Sequence, residues 1–232
     1  MTGCGLRDWG AVFWRIRRSL TKIWLKSFHL DGGFKQSESS ARATLLTDLW
    51  SARWPDDEPI GYLLRGNHAD RWVRFHSLPG SKRYATTVAE RAEILRRNRS
   101  ILADLLASSG RSRIRVIGED FDVNDIASGQ LRRRLPGAWP WRQYLEPDDY
   151  GPGESPRFRY FWVSSIESVE ELDELLPLVA DDVCQFIVTD DELTWIFAPY
   201  DGGVDVILPN AIARDEISLN HRGWLSNHPE GL

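Results

Sequence analysis

Between positions 74 and 84 the chain sets three permanent cations, Arg74, Lys82 and Arg83, beside His76, Ser81 and Tyr84. These residue types suit one kind of chemistry. Guanidinium and ammonium groups bind phosphate or carboxylate, helped by a serine hydroxyl and loop N–H groups. The stretch lacks the Walker pattern, which needs more glycines and a Lys-Ser/Thr pair opening a helix. A second reading stands beside the first: carboxylates elsewhere in the chain answer these cations, because structural ion pairs are common.

The carboxylates that would do so lie in Tyr200-Asp201-Gly202-Gly203-Val204-Asp205. Asp-Gly-Gly between apolar runs predicts a hairpin turn, since glycine accepts positive φ. Asp205 falls on the opposite strand face from Val204 and Val206 and needs a polar partner. The expectation is that Arg74, His76, Lys82 and Arg83 converge with Tyr200, Asp201 and Asp205 at one end of a sheet. The five histidines, at 29, 68, 76, 221 and 228, lack zinc-type spacing. No Gly-x-Ser-x-Gly elbow or G-x-G-x-x-G fingerprint occurs. No catalytic residue, metal site or cofactor is therefore assigned.

The elements that would position these groups are legible in outline. Residues 71–76 alternate, with Val73 and Phe75 on the inner face, and Pro79-Gly80 ends the strand. Thr87-Val88-Ala89-Glu90 is a capping box opening a helix to about Ala107. Its inward residues read as Val88, Ala92, Leu95, Leu102, Leu105 and Leu106, with Arg96, Arg97 and Arg99 mostly exposed. Leu45, Leu46, Leu49, Trp50 and Trp54 stripe an earlier helix stopped by Pro55. Residues 60–64 are apolar and of undecided type. Strands are expected at 114–117 and 158–163. Ser168-Val169-Glu170-Glu171 opens a helix striped by Val169, Leu172, Leu176, Val179 and Val183, with a break at Pro177. Runs at 184–189, 193–197 and 204–208 form a three-strand meander. A closing helix over 210–226 is anchored by Ile212, Ile217 and Trp224. The meander favours an α/β protein of the α+β type, a mainly antiparallel sheet with helices packed on it.

Residues 41–232 read as a single domain, with an irregular insertion at 118–157 rich in proline. Residues 1–40 read as a separate extension. Val12, Phe13, Ile16, Leu20, Ile23, Trp24 and Phe28 keep helical spacing against Arg15, Arg18, Lys22 and Lys26. Asp31-Gly32-Gly33 and residues 37–40 read as its linker. That helix could touch an anionic membrane surface through residues 6–28 or dock on the body. No apolar run is long enough to span a membrane.

Charge is split along the chain. Residues 1–142 hold 25 Lys/Arg against 15 Asp/Glu, a balance of +10, and residues 143–232 hold 4 against 19, a balance of −15. The acidic part argues against a general nucleic-acid coat, and no specific nucleic acid is expected. Cys4 and Cys184 are too far apart in sequence for a C-x-x-C pair, and no disulfide framework exists. Cys184 opens an apolar run and reads as a buried free thiol, which fits a cytoplasmic protein.

The strings Arg74-Phe-His-Ser-Leu-Pro and Ser81-Lys-Arg-Tyr84 resemble a family of uncharacterised bacterial proteins, a domain of unknown function. So do the run from Pro199 to Ile207 and the end from Trp224 to Leu232. The turn at 200–205 is also similar to a Tyr-Asp-Asp-Arg-Gly-x-Asp signature of another bacterial domain of unknown function. The resemblance covers about 43–117 and 158–232. Gly80 stands where a carboxylate is expected in relatives. The resemblance implies a small bacterial cytoplasmic protein and no particular activity. A non-enzymatic binding or interaction protein is expected, regulatory or toxin-neutralising, with a protein partner or small anionic ligand. The alternative is an enzyme acting on an anionic small molecule through residues 74–84.

Overall fold

Among the described residues, seven strands form one antiparallel sheet in the order β1-β7-β6-β5-β2-β4-β3. The computed structural model describes residues 36–110, 113–120, 129–135, 137–145 and 158–225. The strands are β1 (Trp72–His76), β2 (Ile114–Asp120), β3 (Trp139–Leu145), β4 (Phe158–Ile166), β5 (Gln185–Asp190), β6 (Ile196–Tyr200) and β7 (Gly203–Ile207). The helices are α1 (Gln36–Arg53), α2 (Gly61–Asn67), α3 (Val88–Ser109), α4 (Gly129–Arg134), α5 (Leu176–Ala180) and α6 (Ala211–Asn220). The fold is α+β, as the meander implies.

Apolar side chains cover both faces of the sheet. On the inner face Ile101, Leu102 and Leu105 of α3, Val179 of α5 and Ile217 of α6 meet Phe75, Val116, Val188, Phe197 and Val206. On the outer face Trp50 of α1 and Leu64 of α2 meet Ile117, Phe161, Ile187, Ile196 and Ile207. Both layers are needed because the central strands carry apolar residues on each side. Trp50 and Trp54 bury completely by donating their indole N–H groups to the carbonyls of Asp57 and Leu193.

The α3 capping box forms as the sequence reads: Glu90 N–H reaches Thr87 Oγ1 at 3.2 Å and Thr87 N–H reaches Glu90 Oε2 at 3.2 Å. Gly110 ends the helix in the left-handed region, at φ 64. The phase of the helix differs from the expected stripe. Ile94, Asn98, Ile101 and Leu105 set it, so Val88 and Ala92 turn to solvent while Arg97 turns inward. The same cause exposes Ile212, which lies off the α6 stripe through Ile217, and Leu45 on α1.

Other differences are local. The second capping box opens a short 3-10 turn, Val169–Leu172, and Pro177 sits in the first turn of α5, so the expected helix is two pieces and Val183 is exposed beyond it. Residues 60–64 belong to α2 and the loop before it, and residues 37–40, read as linker, are helical in α1. The closing helix stops at Asn220, followed by a 3-10 turn to Trp224. Within 118–157, the described residues hold the end of β2, α4 and β3. Pro140 is tolerated because β3 is an edge strand with a register shift between Pro140 and Arg142. The amphipathic reading of residues 1–35, most of the prolines of 118–157 and the end 226–232 lie outside the described residues. Among the described residues no helix is long and apolar enough to cross a membrane. Cys184 is a half-buried free thiol whose pKa burial pushes up to about 12.

Candidate functional site

The β1–β7 register sets Arg74 opposite Asp205 and His76 opposite Gly203, and β6 places Tyr200 beyond Gly203. Period-two alternation puts Trp72, Arg74, His76, Tyr200 and Asp205 on the outer face. Arg74 Nε donates to Asp205 Oδ1 at 2.9 Å and Nη2 donates to Oδ2 at 3.3 Å. Trp72 Nε1 donates to the same Oδ1 at 2.9 Å, and Arg65 Nη1 from α2 lies 3.5 Å from Oδ2. The Arg74 guanidinium also lies over the Tyr200 ring, 5.1 Å from its centroid. Both charged side chains are nearly closed off, at 11% and 6% exposed. Burial works against the Arg74 charge, but the Asp205 hydrogen bonds and charge outweigh it and raise the pKa. Burial pushes the Tyr200 phenol up to about 12, so it is protonated at neutral pH.

A second group sits one turn away. Asp201 is buried and accepts hydrogen bonds from Arg83 Nε and, at 2.7 Å, from Tyr84 Oη. Arg83 itself is 64% exposed. The Asp201 turn is fastened to the end of β1 by Ser77 N–H donating to the Gly202 carbonyl at 3.1 Å. Neither Gly202 nor Gly203 has positive φ, contrary to the expected reason for glycine here. Gly203 is required by space: a Cβ would sit 2.3 Å from the Phe75 carbonyl oxygen and 2.8 Å from Tyr200 Oη. Gly80, by contrast, has φ 66 with open space around it, so conformation explains the glycine there.

Lys82 does not join either group. Its Nζ donates to Glu90 Oε1 at 2.6 Å and Thr86 Oγ1 at 2.8 Å, at the start of α3. Lys82 is the first cause of the fall of the Glu90 pKa to about 2, with the Thr86 backbone N–H next. His76 Nε2 lies 3.1 Å from Ser81 Oγ. Burial first, then the charges of Arg74 and Arg97, lower the His76 pKa, so the ring is neutral at neutral pH.

The structure thus joins Arg74 with Tyr200 and Asp205, joins Arg83 and Tyr84 with Asp201, pairs His76 with Ser81, and draws Lys82 to the helix cap. Three contributors were not legible as such in sequence. Arg97 donates Nη1 to the His76 carbonyl at 2.9 Å and Nε to Glu93 at 2.6 Å, tying α3 to the end of β1. Trp72 and Arg65 hold Asp205. Only the outward parity of Trp72 hinted at its role. No group of three or more His, Cys, Asp or Glu side chains among the described residues could hold a metal ion.

The family model of a domain of unknown function, DUF3885, matches residues 60–229, and the chain belongs to that family. The match includes α2, β1 with its basic loop, and the β6–β7 turn. No curated protein matches the chain.

Proposed function

We propose that this DUF3885 member is a non-enzymatic binding or interaction protein of the bacterial cytoplasm, regulatory or toxin-neutralising in kind. One observation carries the reading: every cation of the 74–84 stretch is held by a carboxylate of its own chain, Arg74 by Asp205, Lys82 by Glu90 and Arg83 by Asp201. Cations engaged in this way stiffen a corner of the sheet more than they wait for a substrate. The loop presents Tyr84, 45% exposed, under the guanidinium of the exposed Arg83, and Val88, the first residue of α3, is 85% exposed. Aromatic and arginine side chains of this kind are enriched at protein interfaces.

The enzyme reading rests on the contact between Ser81 Oγ and the neutral His76 ring, which has the distance of a nucleophile–base pair. Such a pair needs a third group to orient the base, and among the described residues none bonds the other nitrogen of His76. Assay of the purified protein against phosphatase, esterase and nuclease substrates separates the two. The expected result is no turnover above that of His76→Ala. Turnover that His76→Ala abolishes would overturn the interaction reading.

A further inference from the structure

A cavity of about 260 Å³ lies between the start of α2 and the outer face of the sheet, with β1, β7, β6, β5 and β2 lining it. Gly61 lets α2 come down onto the strands, because a Cβ there would sit 2.8 Å from Ala198 Cβ. One side of the cavity is apolar, formed by Ile60, Ile117, Ile187, Ala198 and Pro199. The other end is cationic. Arg65 and Arg74 both line it, and Asp205 is the carboxylate between them.

The two arginines differ in how far they are satisfied. Arg74 and Trp72 take Asp205 with three donors, at 2.9, 2.9 and 3.3 Å. A carboxylate has about four acceptor positions and a guanidinium five donors. Arg65 has only one long contact to Asp205, at 3.5 Å, and a place over the Trp72 ring, 5.8 Å from its centroid, which leaves its N–H donors largely unused, and its side chain is still 31% exposed. Two guanidiniums therefore share one carboxylate, an excess of one positive charge at this end. At the opposite end Glu119 lines the cavity but is engaged by Arg159 at 2.7 Å, both side chains nearly closed off.

We propose that this cleft binds a small organic monoanion, a carboxylate with an apolar body, its charge on the Arg65 guanidinium and its body against Ile60, Ile117, Ile187 and Ala198. The single excess charge selects a monoanion. A phosphate dianion would set its second charge beside Asp205 without a cation to answer it. The fork of Arg65 matches a carboxylate in two-point geometry. The cavity is just below the usual range for drug-sized ligands, which limits the occupant to a small molecule. This site goes beyond the interaction reading: it uses α2 and not the 79–84 loop, and it is tested by binding and not by turnover.

Isothermal titration of the full chain with phenylacetate and hexanoate tests it, with 2-phenylethylamine and inorganic phosphate as comparison probes. At least one carboxylate should bind one-to-one with Kd in the range of roughly micromolar to millimolar, and the amine and phosphate should not. Arg65→Gln should weaken that binding by about tenfold or more, Arg65→Lys should recover part of it, and Arg91→Gln, on the exposed side of α3, should leave it unchanged. Arg65→Lys also guards against a variant that fails to fold. Absence of saturable heat with both carboxylates, phosphate binding in their place, or equal losses in Arg65→Gln and Arg91→Gln would each overturn the proposal.

Discussion

Arg74–Asp205 and Arg83–Asp201 are the same chemical pair in two settings. The first lies within the sheet, locked by strand register, with both side chains nearly sealed and a tryptophan N–H on the same carboxylate. The second lies on a turn, with a buried carboxylate but an arginine that is mostly in water. Water and salt screen the second pair and leave little net stabilisation, whereas removing one partner of the first strands a charge that is nearly closed off from water. An ion pair in a sequence pattern thus says little about stability until the burial of both ends is known.

The largest effect should come from Asp205→Ala. It leaves Arg74, the Trp72 N–H and Arg65 without their shared acceptor, and the cost of breaking a buried pair is about 3–5 kcal/mol. For a domain of this size that is a Tm lower by roughly 10 °C. A loss of only a degree or two would mean that the two pairs are energetically alike. The next effect sharpens the comparison through glycine. Gly203→Ala forces a Cβ against the fixed Phe75 carbonyl and should cost about 1–3 kcal/mol. Gly202→Ala meets only side-chain atoms of Tyr200 and Arg83, at 3.1 and 3.6 Å, which can shift. Thermal unfolding of both variants should separate them, and equal shifts would contradict the packing account of Gly203.

Much of this frame was legible in the sequence, and the reason is local. Alternation at 72–76 and in 204–206 fixed which side chains share a face, and the Thr87–Glu90 capping box marked the start of α3. Asp205 was readable as a carboxylate in need of a partner because it interrupts an apolar strand. The phase of α3 was not readable. Val88 and Ala92 are apolar and Arg97 is charged, yet Arg97 is the one turned inward, because it reaches a carbonyl that the sequence cannot place. Lys82 likewise went to Glu90, eight residues on, when its charge alone gave no reason to prefer that carboxylate over Asp201. The α2 cleft was invisible because it joins a seven-residue helix to five strands: Arg74, Tyr200 and Asp205 stood out in the sequence, but Arg65 and the apolar lining from Ile60, Ile117 and Ile187 belong to no motif.

Double-mutant cycles on the two pairs, measured by urea unfolding at low and high salt, test the central claim most directly. The account predicts a coupling between Arg74 and Asp205 several times larger than that between Arg83 and Asp201, with the first nearly unchanged by salt and the second vanishing at high salt. Equal couplings, or a salt-sensitive Arg74–Asp205 pair, would contradict it.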